Sequence, residues 1–101
     1  MSMAVPMDPI EYLNARRDEL RTRYGIHTIK LFGSRARSDA RPDSDLDLII
    51  GANKPYRFDL LELISLQQEI SEDLGVAVDL VLEEDLKPGV ARRARAEAIV
   101  I

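Results

Sequence analysis

Residues 31–50 read LFGSRARSDARPDSDLDLII, with two strand-like runs on either side of a polar stretch. The first run, residues 27–32, ends at Gly33-Ser34, and the second, residues 45–50, ends at Gly51. Their apolar side chains alternate or cluster in the way typical of strands. The polar residues between them, broken by a proline, predict a loop with room for one helical turn. This stretch therefore predicts two strands joined by a polar loop.

The segments on both sides of this unit predict helices and one more strand. Asp8-Pro9-Ile10-Glu11 predicts a capped helix start, and residues 58–63 hold a second capping box that opens a helix from Leu60 to Leu74. Residues 76–82 are almost continuously apolar, which is typical of a strand buried on both faces. A helix over residues 90–98 follows. The order of elements predicts an α/β fold with a small mixed β-sheet flanked by helices.

Two apolar features carry their own expectations. The second helix has a stripe of large aliphatic residues that we expect to be buried: Leu60, Leu63, Ile70 and Leu74. The tail at residues 99–101 is also apolar, and both a sheet edge and a partner contact fit it.

Composition restricts the class of protein. The 101 residues, 46% of them hydrophobic, fit one domain over residues 1–101, with residues 1–7 frayed. A net charge of −4 disfavours duplex nucleic acid as a direct partner. The chain has no cysteine, which excludes disulfides and thiolate zinc sites. Since no apolar run approaches about 18 residues, we expect no membrane span and a cytoplasmic protein.

Three aspartates are the strongest chemical feature of the sequence. Asp45 and Asp47 lie two residues apart on one strand, so their side chains point to the same face, with Cα atoms about 6.5 to 7 Å apart. Asp79 interrupts the otherwise apolar third strand, where an unpaired carboxylate would be costly. If the two strands are neighbours, all three carboxylates meet. Like charges placed together predict a hard divalent cation, and Mg²⁺ suits a site where phosphates complete the ligands.

Gly33 and Ser34 supply a second set of contacts. Glycine allows close approach of a ligand to the backbone, and the following amides and serine hydroxyl can donate to phosphate oxygens. Arg35 and Arg37 follow and can neutralise a triphosphate. A phosphate pocket beside a carboxylate pocket predicts phosphoryl or nucleotidyl transfer assisted by two metal ions.

Simpler interpretations exist for several of these residues. A Gly-Ser pair or an Asp-x-Asp pair alone is common in loops and turns. Asp43, Asp45 and Asp47 resemble the start of a calcium loop, but Leu48 stands where that loop needs glycine. His27 has no acid or nucleophile tied to it by spacing, so we assign it no catalytic role. The basic residues that we expect to form a solvated surface lie on the last helix: Arg92, Arg93 and Arg95.

The combined pattern resembles the signature of the minimal nucleotidyltransferases of the DNA polymerase beta-like superfamily. That signature is Gly-Ser, a ten-residue spacer, Asp-x-Asp and a third acidic residue on a later strand. Matching positions, in order, are Gly33, Ser34, Asp45, Asp47 and Asp79. The resemblance covers essentially the whole chain, and the departure is Ser38, where relatives often have glycine.

The resemblance implies a nucleotidyltransferase fold and roles for these residues. The Gly-Ser pair would hold phosphates, Asp45 and Asp47 would hold metal ions, and Asp79 would help to activate the acceptor hydroxyl. It also implies a partner, a helical HEPN-domain toxin for which this chain would be the antitoxin. Homo-oligomers and hetero-oligomers both remain open.

Residues and resemblance together predict an enzyme. It would bind ATP and two Mg²⁺ ions and transfer AMP to a hydroxyl on the partner protein, with release of pyrophosphate. The alternative is a non-catalytic subunit that binds nucleotide or its partner and neutralises the partner by contact alone.

Overall fold

Two segments lie outside the described part of the chain: residues 1–7 and residues 34–44, which connect the first two strands. A computed structural model describes residues 8–33 and 45–101. In chain order, the elements are α1 (Pro9–Tyr24), β1 (Ile26–Phe32), β2 (Leu46–Ala52), α2 (Leu60–Leu74), β3 (Val78–Leu82), a 3-10 turn (Glu83–Asp85), α3 (Pro88–Glu97) and β4 (Ile99–Val100). The predicted order of elements is confirmed for these residues. Residues 1–7, which we expected to fray, are not among them, and the assignment of one domain to residues 1–101 stays a prediction.

The strands form a mixed sheet in the order β3-β2-β1-β4. β1 pairs antiparallel with both β2 and β4, while β2 and β3 run parallel. Helix α2 makes the crossover that a parallel pair requires. This mixed sheet flanked by helices confirms the predicted fold class, and the apolar tail is a short edge strand, one of the two outcomes that the sequence left open.

The main core lies on one face of the sheet. Alternate β2 residues Leu46, Leu48 and Ile50 are buried in a cluster with residues of α1 and α2. Asp47, Ile49 and Gly51 fall between them and face the other side, because side chains of a strand alternate. Helices α1 and α2 thus pack on one face of β2, and Asp47 lies on the opposite face.

Helix α2 starts as the sequence predicts. The Asp59 carboxylate accepts a hydrogen bond from the Glu62 amide at 2.8 Å, and the Glu62 side chain accepts one from the Asp59 amide at 3.1 Å. This reciprocal pair is a complete capping box.

Among residues 8–33 and 45–101, helix α1 has no such capping bonds at its start. Pro9 stands in its first turn, but within the described residues the Asp8 side chain makes no capping bond, so the predicted acceptor cap there is wrong.

Two burial predictions were also wrong. β3 lies at an edge of the sheet, and alternate side chains along it, Asp79 and Val81, are exposed. The apolar run at residues 76–82 therefore does not indicate burial on both faces. Leu60 is 70% exposed and Leu61 73%, so the buried stripe of α2 begins one turn later and centres on Leu66, Ile70 and Leu74.

No helix in the described ranges is both long enough and apolar enough to cross a bilayer.

Candidate active site

Asp47 and Asp79 stand side by side on neighbouring strands. The parallel register of β2 and β3 pairs Asp47 directly with Asp79. Side chains at paired positions of adjacent strands lie on the same face, so both carboxylates share the face opposite the main core. Asp47 is half-buried and Asp79 is exposed. The crossover through α2 therefore places the two carboxylates side by side, as the sequence predicts. We expected Asp79 to be buried, and it is exposed.

Asp45 lies one residue before β2 and is exposed. Its charge reaches Asp47. Burial raises the pKa of the Asp47 carboxyl above its ordinary value, the Asp79 carboxylate raises this pKa further, and the Asp45 carboxylate does so as well. Two neighbouring carboxylates thus act on Asp47, and a cation placed among the three would relieve their repulsion.

Gly33 places the end of β1 against this cluster. Its φ of 84° is in the left-handed region, and a Cβ built on it would come within 2.6 Å of Asp47 Oδ2. The preceding residue, Phe32, is the register partner of Asp47 in β2. Glycine at this position lets the backbone turn away from the strand and pass the carboxylate at close range. The start of the predicted phosphate loop is therefore adjacent to the carboxylate cluster.

The rest of that loop lies outside the described residues. Ser34, Arg35 and Arg37, the other predicted phosphate contacts, fall in the range 34–44. Their roles stay predictions, and so does the metal-binding role of the three aspartates. The calcium-loop resemblance at Asp43 falls in the same range.

The donors present fit Mg²⁺ better than a metal that needs a closed protein cage. Within residues 8–33 and 45–101, no three His, Asp or Glu side chains are close enough to hold an ion by themselves. Mg²⁺ commonly takes one or two carboxylates and fills its remaining positions with water and substrate phosphates. The carboxylate oxygens and negative charge of Asp45, Asp47 and Asp79, with Gly33 against Asp47, are consistent with that mode of binding.

His27 lies at the other end of the sheet. Its Nδ1 is 2.7 Å from Thr28 Oγ1, and its ring approaches Gly51, four residues along β2 from Asp47, a separation of about 13 Å at the rise of a strand. A cavity of about 400 Å³ lies there, lined by His27, Tyr56, Glu83 and Arg95 among others. None of the predicted site residues lines it, and nothing in the sequence pattern indicates it.

The basic residues of α3 are exposed, in line with a solvated surface. Arg93 lies 3.9 Å from Glu97 on the same helix, while Arg95 lines the cavity beside His27.

Comparison with known proteins adds family membership to this geometry. The sequence model of the family described as "Nucleotidyltransferase domain" matches residues 13–101. The chain belongs to this family. The resemblance seen in the sequence is thereby confirmed, and the protein is a nucleotidyltransferase.

Individual relatives of this nucleotidyltransferase cover most of its length. It is 36% identical over 89 residues to the protein adenylyltransferase MntA of Thermococcus cleftensis, with 88% of each chain covered. A solved structure assigned as a minimal nucleotidyltransferase is 40% identical, has a TM-score of 0.70 and covers 92% of this chain and 95% of its own. A crystal structure of a toxin-antitoxin with AMP-PNP has a TM-score of 0.71 at 23% identity, covering 86% of this chain and 69% of its own. At that identity the likeness is one of fold.

Proposed function

We propose that this nucleotidyltransferase is a protein adenylyltransferase that transfers AMP from ATP to a hydroxyl of a partner protein, a HEPN-domain toxin whose antitoxin it is. The observation that carries the proposal is the pairing of Asp47 with Asp79 across β2 and β3, with Gly33 against Asp47. Carboxylates that can hold divalent ions, placed beside a strand-to-loop glycine, support nucleotidyl transfer assisted by metal ions.

The comparisons support the acceptor class and the partner. The relative from Thermococcus cleftensis carries the name protein adenylyltransferase at 36% identity. Toxin-antitoxin complexes share the fold, one of them an MNT antitoxin with a tri-AMPylated HEPN toxin from Shewanella oneidensis.

In this proposal each residue has a distinct task. Gly33 and Ser34 hold phosphate oxygens through the backbone and the hydroxyl, and Arg35 and Arg37 neutralise the triphosphate. Asp45, Asp47 and Asp79 would hold two Mg²⁺ ions, which when bound compensate charge on the phosphates and on the attacking oxygen.

The reaction itself is a displacement at the α-phosphorus. The acceptor oxygen forms a bond to the α-phosphorus while the bond between that atom and the bridging oxygen to the β-phosphorus breaks, and pyrophosphate leaves. Asp79, the most exposed position of the pair, assists removal of the proton from the acceptor hydroxyl.

The test is an intact-mass measurement. The protein is incubated with ATP, Mg²⁺ and the HEPN-domain toxin that we propose as its partner. We expect AMP-sized mass increases on that protein, lost when Asp45→Asn and Asp47→Asn are combined and kept in the matched control Asp18→Asn, an exposed carboxylate of α1. Neutralisation of the partner without any mass increase would favour the alternative, a subunit that acts by contact alone.

A further inference from the structure

The outer edge of β3 is covered by side chains of α2. β3 pairs with β2 on one side only, so alternate amides along it point away from the sheet. Two of them donate to α2. The Val78 amide bonds to Ser71 Oγ at 3.0 Å, and the Leu80 amide bonds to Gln67 Oε1 at 2.9 Å.

These two bonds flank Asp79 and match the geometry of both elements. Gln67 and Ser71 are four residues apart on α2, so they share a face and are separated by about 6 Å along the helix axis. Val78 and Leu80 are two residues apart on β3, a distance of about 6.6 Å. Because the two spacings agree, the helix holds the strand at two points, one on each side of Asp79.

Besides these two bonds, the pairing of β3 with β2 holds Asp79 in place from the other side. Asp79 is exposed, and on one side β3 has no neighbouring strand. A shift of β3 along α2 would change the distance between its carboxylate and that of Asp47, the pair on which the site depends. Displacements of about 1 Å in a reacting centre can cost about a hundredfold in rate.

We propose that Gln67 and Ser71 are positioning residues that hold Asp79 opposite Asp47. The inference rests on the proposed function, since it assigns these two residues a role in nucleotidyl transfer through the carboxylate that they flank. Neither residue belongs to the Gly-Ser and aspartate motif.

Variants of Gln67 separate positioning from general stability. Gln67→Ala and Gln67→Asn, whose amide is one methylene too short, are expected to lower kcat for AMP transfer about tenfold and to change KM for ATP less than about twofold. Gln67→Glu keeps an acceptor oxygen at the same reach and is expected to recover kcat to within about threefold of wild type. Ser71→Ala and Ser71→Thr form the equivalent pair.

Gln68→Ala is the matched control, because Gln68 is the next residue of α2, is of the same type and is exposed. Its kcat should equal that of wild type. Equal kcat in Gln67→Ala, Gln67→Asn and wild type would overturn the proposal, as would an equal loss in Gln67→Glu and Gln67→Ala. If Gln67→Ala does not fold, the Asn and Glu variants decide.

A second readout does not depend on activity. In amide NMR spectra, Gln67→Ala is expected to speed hydrogen exchange at Leu80 and to shift the resonances of both Asp79 and Asp47, while Gln68→Ala leaves them in place. A change confined to Leu80 would overturn positioning. If the wild type transfers no AMP, the proposed function fails, and this measurement still judges whether α2 sets the position of Asp79.

Discussion

Gly33 is the residue at which backbone conformation and the candidate site meet. Its left-handed φ of 84° and the 2.6 Å between a built Cβ and Asp47 Oδ2 are independent reasons for glycine. Other glycines of the chain carry one of these constraints or neither. Gly75 has a φ of 71° with open space around it, and Gly89 has open space and no positive φ. Substitutions at these glycines can therefore separate the effect of backbone strain from the effect of a steric contact with a neighbouring side chain.

Gly33→Ala should lower kcat at least about a hundredfold, because the new methyl group displaces the Asp47 carboxylate. Gly75→Ala should cost about 1 kcal/mol of unfolding free energy through backbone strain and leave kcat unchanged. Gly89→Ala should leave kcat unchanged and should raise the unfolding free energy by up to about 1 kcal/mol, since Gly89 lies in α3 and alanine favours the helix. Chemical denaturation and steady-state transfer of AMP measure the two effects. Normal kcat in Gly33→Ala would contradict the close approach of backbone and carboxylate.

Asp47 yields a pH-dependent prediction. Burial and the neighbouring carboxylates raise its pKa in the folded protein, so ionisation above the ordinary pKa of aspartate costs the folded state more than the unfolded state. Without metal or nucleotide, Asp47→Asn should therefore be more stable than wild type at pH 7, by a few tenths to about 1 kcal/mol. The difference should vanish as the pH falls below about 4.

The measurement is urea denaturation as a function of pH, with Asp18→Asn as control. Addition of ATP and Mg²⁺ should reverse the order, because a bound cation favours the ionised wild-type side chain. A destabilised Asp47→Asn at pH 7 without metal would show that the carboxylate has a favourable partner and would refute this electrostatic account.

At the scale of elements, the two helix starts give the clearest contrast. Asp59 and Glu62 exchange both capping bonds, while the same residue types at Asp8 and Glu11 do not. Asp59→Ala is therefore expected to cost about 1 kcal/mol of unfolding free energy, and Asp8→Ala less than about 0.5 kcal/mol. Urea denaturation of both variants tests the contrast. Equal losses would mean that Asp8 caps its helix in solution after all.

The same contrast indicates what the sequence can predict. Local patterns fix the existence of α2 and its start, because a capping box and an apolar stripe act within a few residues. The pairing of Asp47 with Asp79 was also predictable, since a helical crossover favours adjacent parallel strands. The carboxylate positions therefore followed from element order, while their function as metal ligands stays a prediction.

The position of β3 at an edge was not predictable from its own residues. An apolar strand has the same sequence pattern whether its free edge pairs with another strand or with a helix. Here the edge amides of β3 donate to Gln67 and Ser71 of α2. Their contribution depends on a contact between elements, which no local motif encodes. The exposure of Leu60 has a related cause: a helical stripe predicts which residues align, but the neighbouring elements decide how many turns they cover.

At the scale of the whole molecule, α1 and α2 lie on one face of the sheet and Asp47 lies on the other. Arg16 links α1 to α2, with Glu69 at 2.5 Å and Asp73 at 3.9 Å, and also pairs with Glu19 at 2.7 Å. The Tyr12 hydroxyl joins the same group through Asp73 at 2.5 Å. This network stabilises the helical layer that covers the core, away from Asp47.

Arg16→Met keeps the apolar stem and removes the charge, so it should lower the unfolding free energy by about 1 to 2 kcal/mol at neutral pH. The hydrogen bond from Arg16 holds the pKa of Glu19 below its ordinary value. The stability that the bond between Arg16 and Glu19 contributes is therefore fully present when the pH is above the ordinary pKa of glutamate. It is lost as the pH falls through the lowered pKa of Glu19 in the folded protein. The difference in unfolding free energy between wild type and Arg16→Met should become smaller in acid and at high salt.

Arg23→Met is the control, because the Arg23 guanidinium is exposed and lies 3.8 Å from Glu19. It should change the unfolding free energy by less than about 0.5 kcal/mol. Because the network lies on the core side, kcat of folded Arg16→Met should equal that of wild type, and a loss of kcat would mean that the two faces of the sheet are coupled.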